Sequence, residues 1–158
     1  MSHAQIQGFY ETYPLWKGKQ FGMEQFVFPE SDINQAVEVK IPDGLRLGHQ
    51  MEYVFEHLIQ QSNTYEVVLK NVPVLDGKTT IGEIDFILQD LVTEAIVHVE
   101  LTYKFYVIDP SISEPIHRLL GPNRRDMFFT KLDKMKTAQF PLLKSPTVLE
   151  RLAALKLD

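Results

Sequence analysis

The stretch from Ala95 to Ile108 constrains the fold more than any other part of the chain. Val97, Val99, Leu101, Tyr103, Phe105 and Val107 alternate there with Ile96, His98, Glu100, Thr102, Lys104 and Tyr106. A period of two belongs to a β-strand, whose successive side chains point to opposite faces. One face is apolar throughout. The other carries ionisable and hydroxyl groups in its middle.

The neighbouring segments supply the partners of such a strand. Leu47, Met51, Val54, Phe55 and Leu58 recur at three- and four-residue steps, which predicts an amphipathic helix over Leu45–Gln60. Asp43 is its expected N-cap and Ser62-Asn63 its stop. Tyr65–Val72 is β-branched and aromatic enough for a strand. Asp76-Gly77 is a turn signal that returns the chain as a hairpin near Thr80–Gln89. After a loop between Pro110 and Pro122, a helix is expected over Arg124–Gln139, with Met127, Phe128, Leu132 and Met135 at helical spacing. A short strand near Phe140–Leu142 follows, and Ser145-Pro146 opens a last helix, proline being suited to the first helical position. The order α-β-β-β-α-β implies an α/β or α+β fold in which helices flank a mixed sheet.

A length of 158 residues fits one domain with a single core. Residues 1–43 form an expected N-terminal wrapping segment, irregular but rich in aromatics that water would not keep (Phe9, Tyr10, Tyr13, Trp16, Phe21, Phe26, Phe28), and residues 44–158 form the domain proper. The chain has no cysteine, which excludes disulfides, thiolate nucleophiles and cysteine-ligated zinc. Its formal net charge of −5 argues against coating nucleic acid through bulk positive charge, so any such contact must be local. No apolar run reaches the roughly 18 residues of a membrane span, and no signal-peptide pattern opens the chain. A soluble, cytoplasmic protein without membrane contact is therefore expected. Gly-rich phosphate loops and the Gly-x-Ser-x-Gly elbow are absent, which disfavours nucleotide-dependent and acyl-transfer chemistry.

Chemistry is concentrated in the central strands. Asp85 interrupts the apolar run Gly82-Glu83-Ile84-Asp85-Phe86-Ile87-Leu88, with Glu83, Asp85 and Ile87 expected on one face and Ile84, Phe86 and Leu88 on the other. A carboxylate set among apolar residues needs a cation or donor beside it. Glu100 and Lys104 share one face of the neighbouring strand. Two carboxylates on adjacent strands make a hard-oxygen nest suited to Mg²⁺ or Mn²⁺, and a lysine beside them can position the attacking water or offset phosphate charge. The same trio also fits a half-buried ion-pair network in a sheet. Glu83 reads as an exposed strand residue and His98 as a structural one. Between Arg124 and Lys144 lie six basic residues against two acidic ones, and Arg124, Arg125 and Lys131 are the candidates for nucleic-acid phosphate; a solvated helix face is the plainer alternative.

These residues resemble the PD-(D/E)XK nuclease superfamily. Gly82-Glu83-Ile84-Asp85 is similar to the second strand of its hairpin, Glu100-Leu101-Thr102-Tyr103-Lys104 to the third strand, and Glu52 to its acidic helix residue. More narrowly, Leu47-Gly48 to Glu52, Gly82–Phe86, Glu100–Tyr106 and Leu120–Asp126 resemble a bacterial family known as domain of unknown function 1853, over residues of about 45 to 143. The resemblance implies a restriction-endonuclease-like core with a central mixed four-stranded sheet. It also implies Mg²⁺ or Mn²⁺ held by Asp85 and Glu100, a catalytic set of Asp85, Glu100, Lys104 and Glu52, and nucleic acid as partner, DNA ahead of RNA. Oligomeric state is left open, a homodimer included. Thr102 stands where the superfamily pattern has its lysine, and Lys104 keeps the same face one pleat on. That departure sustains a second expectation: a non-cutting relative of the same fold that binds nucleic acid or protein.

Overall fold

The structure, a computed structural model, describes residues 3–29, 39–121 and 123–157. Residues 30–38 of the N-terminal segment, and Pro122 of the Leu120–Asp126 run, lie outside the described residues. The architecture is α+β. In chain order it runs α1 (His3–Tyr10), β1 (Lys19–Gln20), β2 (Met23–Glu24), α2 (Leu47–Gln60), β3 (Tyr65–Asp76), β4 (Thr79–Asp90), β5 (Ile96–Val99), β6 (Val107–Ile108), β7 (Leu119–Leu120), α3 (Phe128–Lys134) and α4 (Pro146–Ala154). Among the described residues no helix is long and apolar enough to cross a membrane.

The central sheet has the order β3-β4-β5 and is antiparallel throughout; β1-β2 and β6-β7 are separate two-stranded sheets. The hairpin closes through Asp76-Gly77, where Gly77 takes the left-handed conformation (φ 58°) that the tight turn requires. Two cores cover the sheet. In the first, α1 and α2 pack Ile6, Phe9, Met51, Val54, Phe55, Leu58 and Ile59 against Phe86, Leu88 and Val99. Phe26 and Phe28 stack on Phe55, which also meets Phe86 at 4.7 Å between ring centroids. In the second, α4 and the turn before it bring Leu142, Val148 and Leu152 onto Val72, Val74, Ile84 and Ile87. A third, smaller core joins α3 to Met23 and Trp16.

Several expectations are corrected. The mixed four-stranded sheet is not formed: Phe140–Lys144 is a 3₁₀ helix, because proline at its start suits a helical turn and Leu142 is drawn into the second core. Residues 3–10, expected to be irregular, form α1 because Ile6 and Phe9 find a core to enter. Arg46, not Asp43, occupies the N-cap of α2. The helix expected from Arg124 begins at Phe128 and passes into a π turn at Met135–Gln139. The long strand predicted over Ala95–Ile108 stops at Val99 and resumes only as β6, in a different sheet. Ile84 and Phe86, expected on one face, belong to different cores.

Phe55 carries the first core, being 1% exposed and in contact with three other aromatic rings. Phe55→Ala should lower the free energy of unfolding by about 3–5 kcal/mol in urea denaturation, since a cavity replaces those contacts.

Candidate functional site

The changes of face and strand end have one location. In the β3–β4 ladder Lys70 pairs with Phe86 and Val72 with Ile84, so Asn71 lies across from Asp85. Asn71 is in the left-handed region (φ 50°), a conformation asparagine tolerates better than most side chains. That residue kinks β3 and ends the regular alternation beside Asp85. On the other side, β4 pairs with β5 from Gln89↔Ile96 to Phe86↔Val99, and the ladder stops before Asp85. The backbone N–H of Leu101 donates instead to Asp85 Oδ2 at 2.9 Å. A side-chain carboxylate thus stands in for a strand carbonyl.

Glu100 lies just past this break, with its side chain buried. His98 Nε2 shares a hydrogen bond with Glu100 Oε1 at 2.7 Å, and Gln139 Nε2 donates to Glu100 Oε2 at 2.9 Å. The side chains of His98 and Glu100 are 4% and 2% exposed. His98, two residues before Glu100 on the same strand face, also meets Phe140 edge-on at 5.1 Å. Glu52 enters from α2, its side chain 12% exposed. His49 Nδ1 lies 2.9 Å from Glu52 Oε1, and Asn71 Nδ2 donates to Glu52 Oε2 at 3.1 Å.

Asp85 registers this company. Burial pushes its carboxyl up from 3.8 to about 6, and the charges of Glu100 and then Glu52 push the same way; the Leu101 N–H and the charge of Lys131 oppose them. Glu52, Asp85 and Glu100 therefore form one electrostatic cluster drawn from α2, β4 and the end of β5.

Other predicted residues stand elsewhere. Lys104 forms an ion pair with Asp126 and is turned to solvent. The strand does not continue past Val99, so the extra pleat no longer carries Lys104 over the carboxylates. Thr102, in the position expected of the lysine, directs its hydroxyl toward Met135 Sδ at 3.9 Å. Arg124 and Arg125 are exposed on a tight loop before α3 rather than at a helix N-terminus. Asn123 Oδ1 accepts the N–H groups of Arg125 and Asp126, and Gly121 N–H donates to Asp126 O at 2.6 Å. Neither arginine is in an ion pair among the described residues.

Asn71, His98 and Gln139 are the site residues that sequence reasoning missed or set aside. Asn71 left a signal, as an asparagine inside a β-branched strand. Among the described residues no three His, Asp or Glu side chains form a ready-made metal cage. Mg²⁺ does not demand one: it is bound through one or two carboxylates, several waters and substrate phosphate oxygens. Asp85 accepts one backbone N–H, and both oxygens of Glu100 are engaged, by His98 and Gln139, in hydrogen bonds of the kind that orient metal-ligating carboxylates.

A carboxyl that holds its proton more tightly in the folded chain weakens the fold as pH rises from the unfolded value through about 6, and has no such effect below 3.8. Asp85→Asn keeps an acceptor for Leu101 and removes the charge. It should raise stability at pH 8 by on the order of 2 kcal/mol, allowing for partial solvent screening, with the gain shrinking toward pH 4 in thermal unfolding.

No curated protein and no solved structure matches the chain. A family model does match, over residues 29–158, a span that takes in α2, all three strands of the central sheet, α3 and α4. The chain belongs to the family described as Domain of unknown function (DUF1853).

Proposed function

We propose that this chain is a metal-dependent hydrolase of nucleic-acid phosphodiester bonds, DNA ahead of RNA, on a restriction-endonuclease-like core. The observation that carries the reading is the convergence of Glu52, Asp85 and Glu100 from three elements at the point where the β4–β5 ladder opens. Three carboxylates in a largely buried place repel one another, and a divalent cation would offset that repulsion. Asp85 and Glu100 would hold Mg²⁺ or Mn²⁺, and Glu52 would complete the acidic set from α2. The ion supplies Lewis acidity toward a phosphoryl oxygen and a lowered pKa for bound water. The chain's own part is to fix the two carboxylates: Leu101 N–H holds Asp85, while His98 and Gln139 hold Glu100. Arg124 and Arg125, exposed on their loop, suit phosphates of the nucleic-acid backbone. A cytoplasmic setting goes with such a substrate.

A second reading has its own support. Lys104 is engaged by Asp126 and Thr102 by Met135, so the strand offers the carboxylates no lysine. A non-cutting domain that binds nucleic acid or protein would tolerate that arrangement.

Linear, branched and single-stranded DNA incubated with the protein and Mg²⁺ or Mn²⁺ separates the two. Cleavage should be lost by a hundredfold or more in Asp85→Ala and Glu100→Ala, as when an essential metal ligand is removed; cleavage that persists unchanged in both would sink the hydrolytic reading. No cleavage together with no metal-dependent rise in melting temperature favours the binding module. Arg124→Ala and Arg125→Ala should weaken binding evenly across DNA sequences, each reducing the salt-dependence slope by about 1.

A further inference from the structure

The β1–β2 hairpin lies against the third core, yet that core uses only part of it. Met23, 6% exposed, closes over Phe128, Leu132 and Met135, with Trp16 packed beside it. Leu15 and Phe21 do not follow it inside and stay 54% and 43% exposed. Between them and the segment Glu114–Leu119 a cavity of about 250 Å³ opens to solvent, lined in part by Phe128. Trp16 meets Phe21 edge-on at 5.7 Å and Phe128 at 6.1 Å, so three connected rings share the lining. Gln20 and Glu114 are its hydrogen-bonding side chains. The volume is below the roughly 300–1,000 Å³ that drug-sized ligands take, which suits a single planar ring system.

Phe21 is held there against local preference. Gln20 pairs with Met23, which makes Phe21-Gly22 the two-residue turn, and both take left-handed conformations (φ 54° and 80°). Such a turn favours Asn-Gly, and a bulky ring in the left-handed region carries strain. Burial in the folded chain does little to offset it, whereas a flat ligand stacked on the exposed ring would. Charge narrows the ligand further. From Trp16 to Met23 there are two lysines, Lys17 and Lys19, and no acid. Lys136, from the π turn, brings its ammonium to 3.6 Å from where a side chain on Gly22 would begin, so it lies against the same turn. None of the three lysines is in an ion pair among the described residues. Aromatic platforms beside a basic track hold unpaired nucleic-acid strands without regard to sequence. An apolar peptide would fill the cavity and leave the lysines unused, and a duplex keeps its bases inside the stack.

We propose that the cavity between the β1–β2 hairpin and α3 takes one unpaired nucleobase, with the phosphates of its strand on Lys17, Lys19 and Lys136. The base stacks on Phe21 and Trp16, while Gln20 and Glu114 meet its hydrogen-bonding edge, where every base carries an N–H that a carboxylate accepts. The proposal rests on nucleic acid being the partner, and not on its being cut. It makes that partner single-stranded at this point. The helical stretch from Phe128 to Gln139, roughly 15 Å long, joins the cavity to Glu100.

Trp16 is the only tryptophan of the chain, so its emission reports on the cavity directly. Titration with an oligothymidylate of about twelve nucleotides, in metal-free buffer so that nothing is cut, should quench that emission saturably. An abasic strand of the same length should bind through the lysines and leave the emission unchanged. Phe21→Asn removes the ring and gives the turn a residue it prefers, so the melting temperature should change little. By fluorescence anisotropy of labelled strands, the same variant should weaken oligothymidylate binding by about tenfold and leave the abasic strand unaffected. Lys17→Gln and Lys19→Gln should weaken both strands, each lowering the salt-dependence slope by about 0.7. Oligothymidylate that fails to bind, binds no better than the abasic strand, or binds without changing the emission overturns the proposal. So does quenching by a short apolar peptide of leucine and phenylalanine with none from oligothymidylate, which marks a protein-docking cavity. Base-dependent quenching with no cleavage under Mg²⁺ upholds the cavity and removes the hydrolytic reading alone. Cleavage of DNA with no quenching removes the cavity alone.

Discussion

The hydrogen bond from Leu101 N–H to Asp85 Oδ2 is the contact on which the rest of the site depends. A strand that alternates as regularly as Ala95–Ile108 would otherwise go on pairing with β4, carrying Glu100 and Thr102 into a closed ladder. By accepting the N–H itself, the Asp85 side chain ends the pairing at Val99 and leaves Glu100 just past the ladder. On the other edge of β4 the ladder with β3 runs on past Asn71, which takes the left-handed conformation across from Asp85. Asp85 thus has the left-handed Asn71 across from it on β3 and the end of the β5 ladder on its other side.

Electrostatics follows from that geometry. Opening the ladder brings Glu100 beside Asp85, and α2 adds Glu52, so burial and like charge act together on one carboxyl. A purely structural network would balance those charges within itself. Here the balance is incomplete: His98 and Gln139 satisfy Glu100, and Asn71 and His49 satisfy Glu52, but Asp85 receives a single backbone donor. The donors fix where the carboxylates point more than they neutralise them.

The parts of the fold written in local pattern were legible in the sequence. Three- and four-residue spacing gave α2, Asp76-Gly77 gave the hairpin, and Ser145-Pro146 gave the start of α4. Asp85 and Glu100 were visible as carboxylates in apolar strands. Features decided by tertiary contact were not visible. Nothing within Ala95–Ile108 shows that a side chain sixteen residues away takes over a ladder hydrogen bond. Lys104 looked correct only on a strand that continued, and its engagement with Asp126 depends on the Gly121–Asp126 loop folding back. Gln139 reaches Glu100 from a π turn that has no sequence signature of its own.

Soaking crystals of the protein with Mn²⁺ and collecting anomalous diffraction tests the central claim most directly. The expected result is an anomalous peak bridging Asp85 and Glu100, with Leu101 N–H still on Asp85, with Glu52 facing the ion, and with the peak lost in Asp85→Asn. An ordered site with no peak between these carboxylates at saturating Mn²⁺ would contradict it, leaving the cluster as a structural network closed by His98 and Gln139.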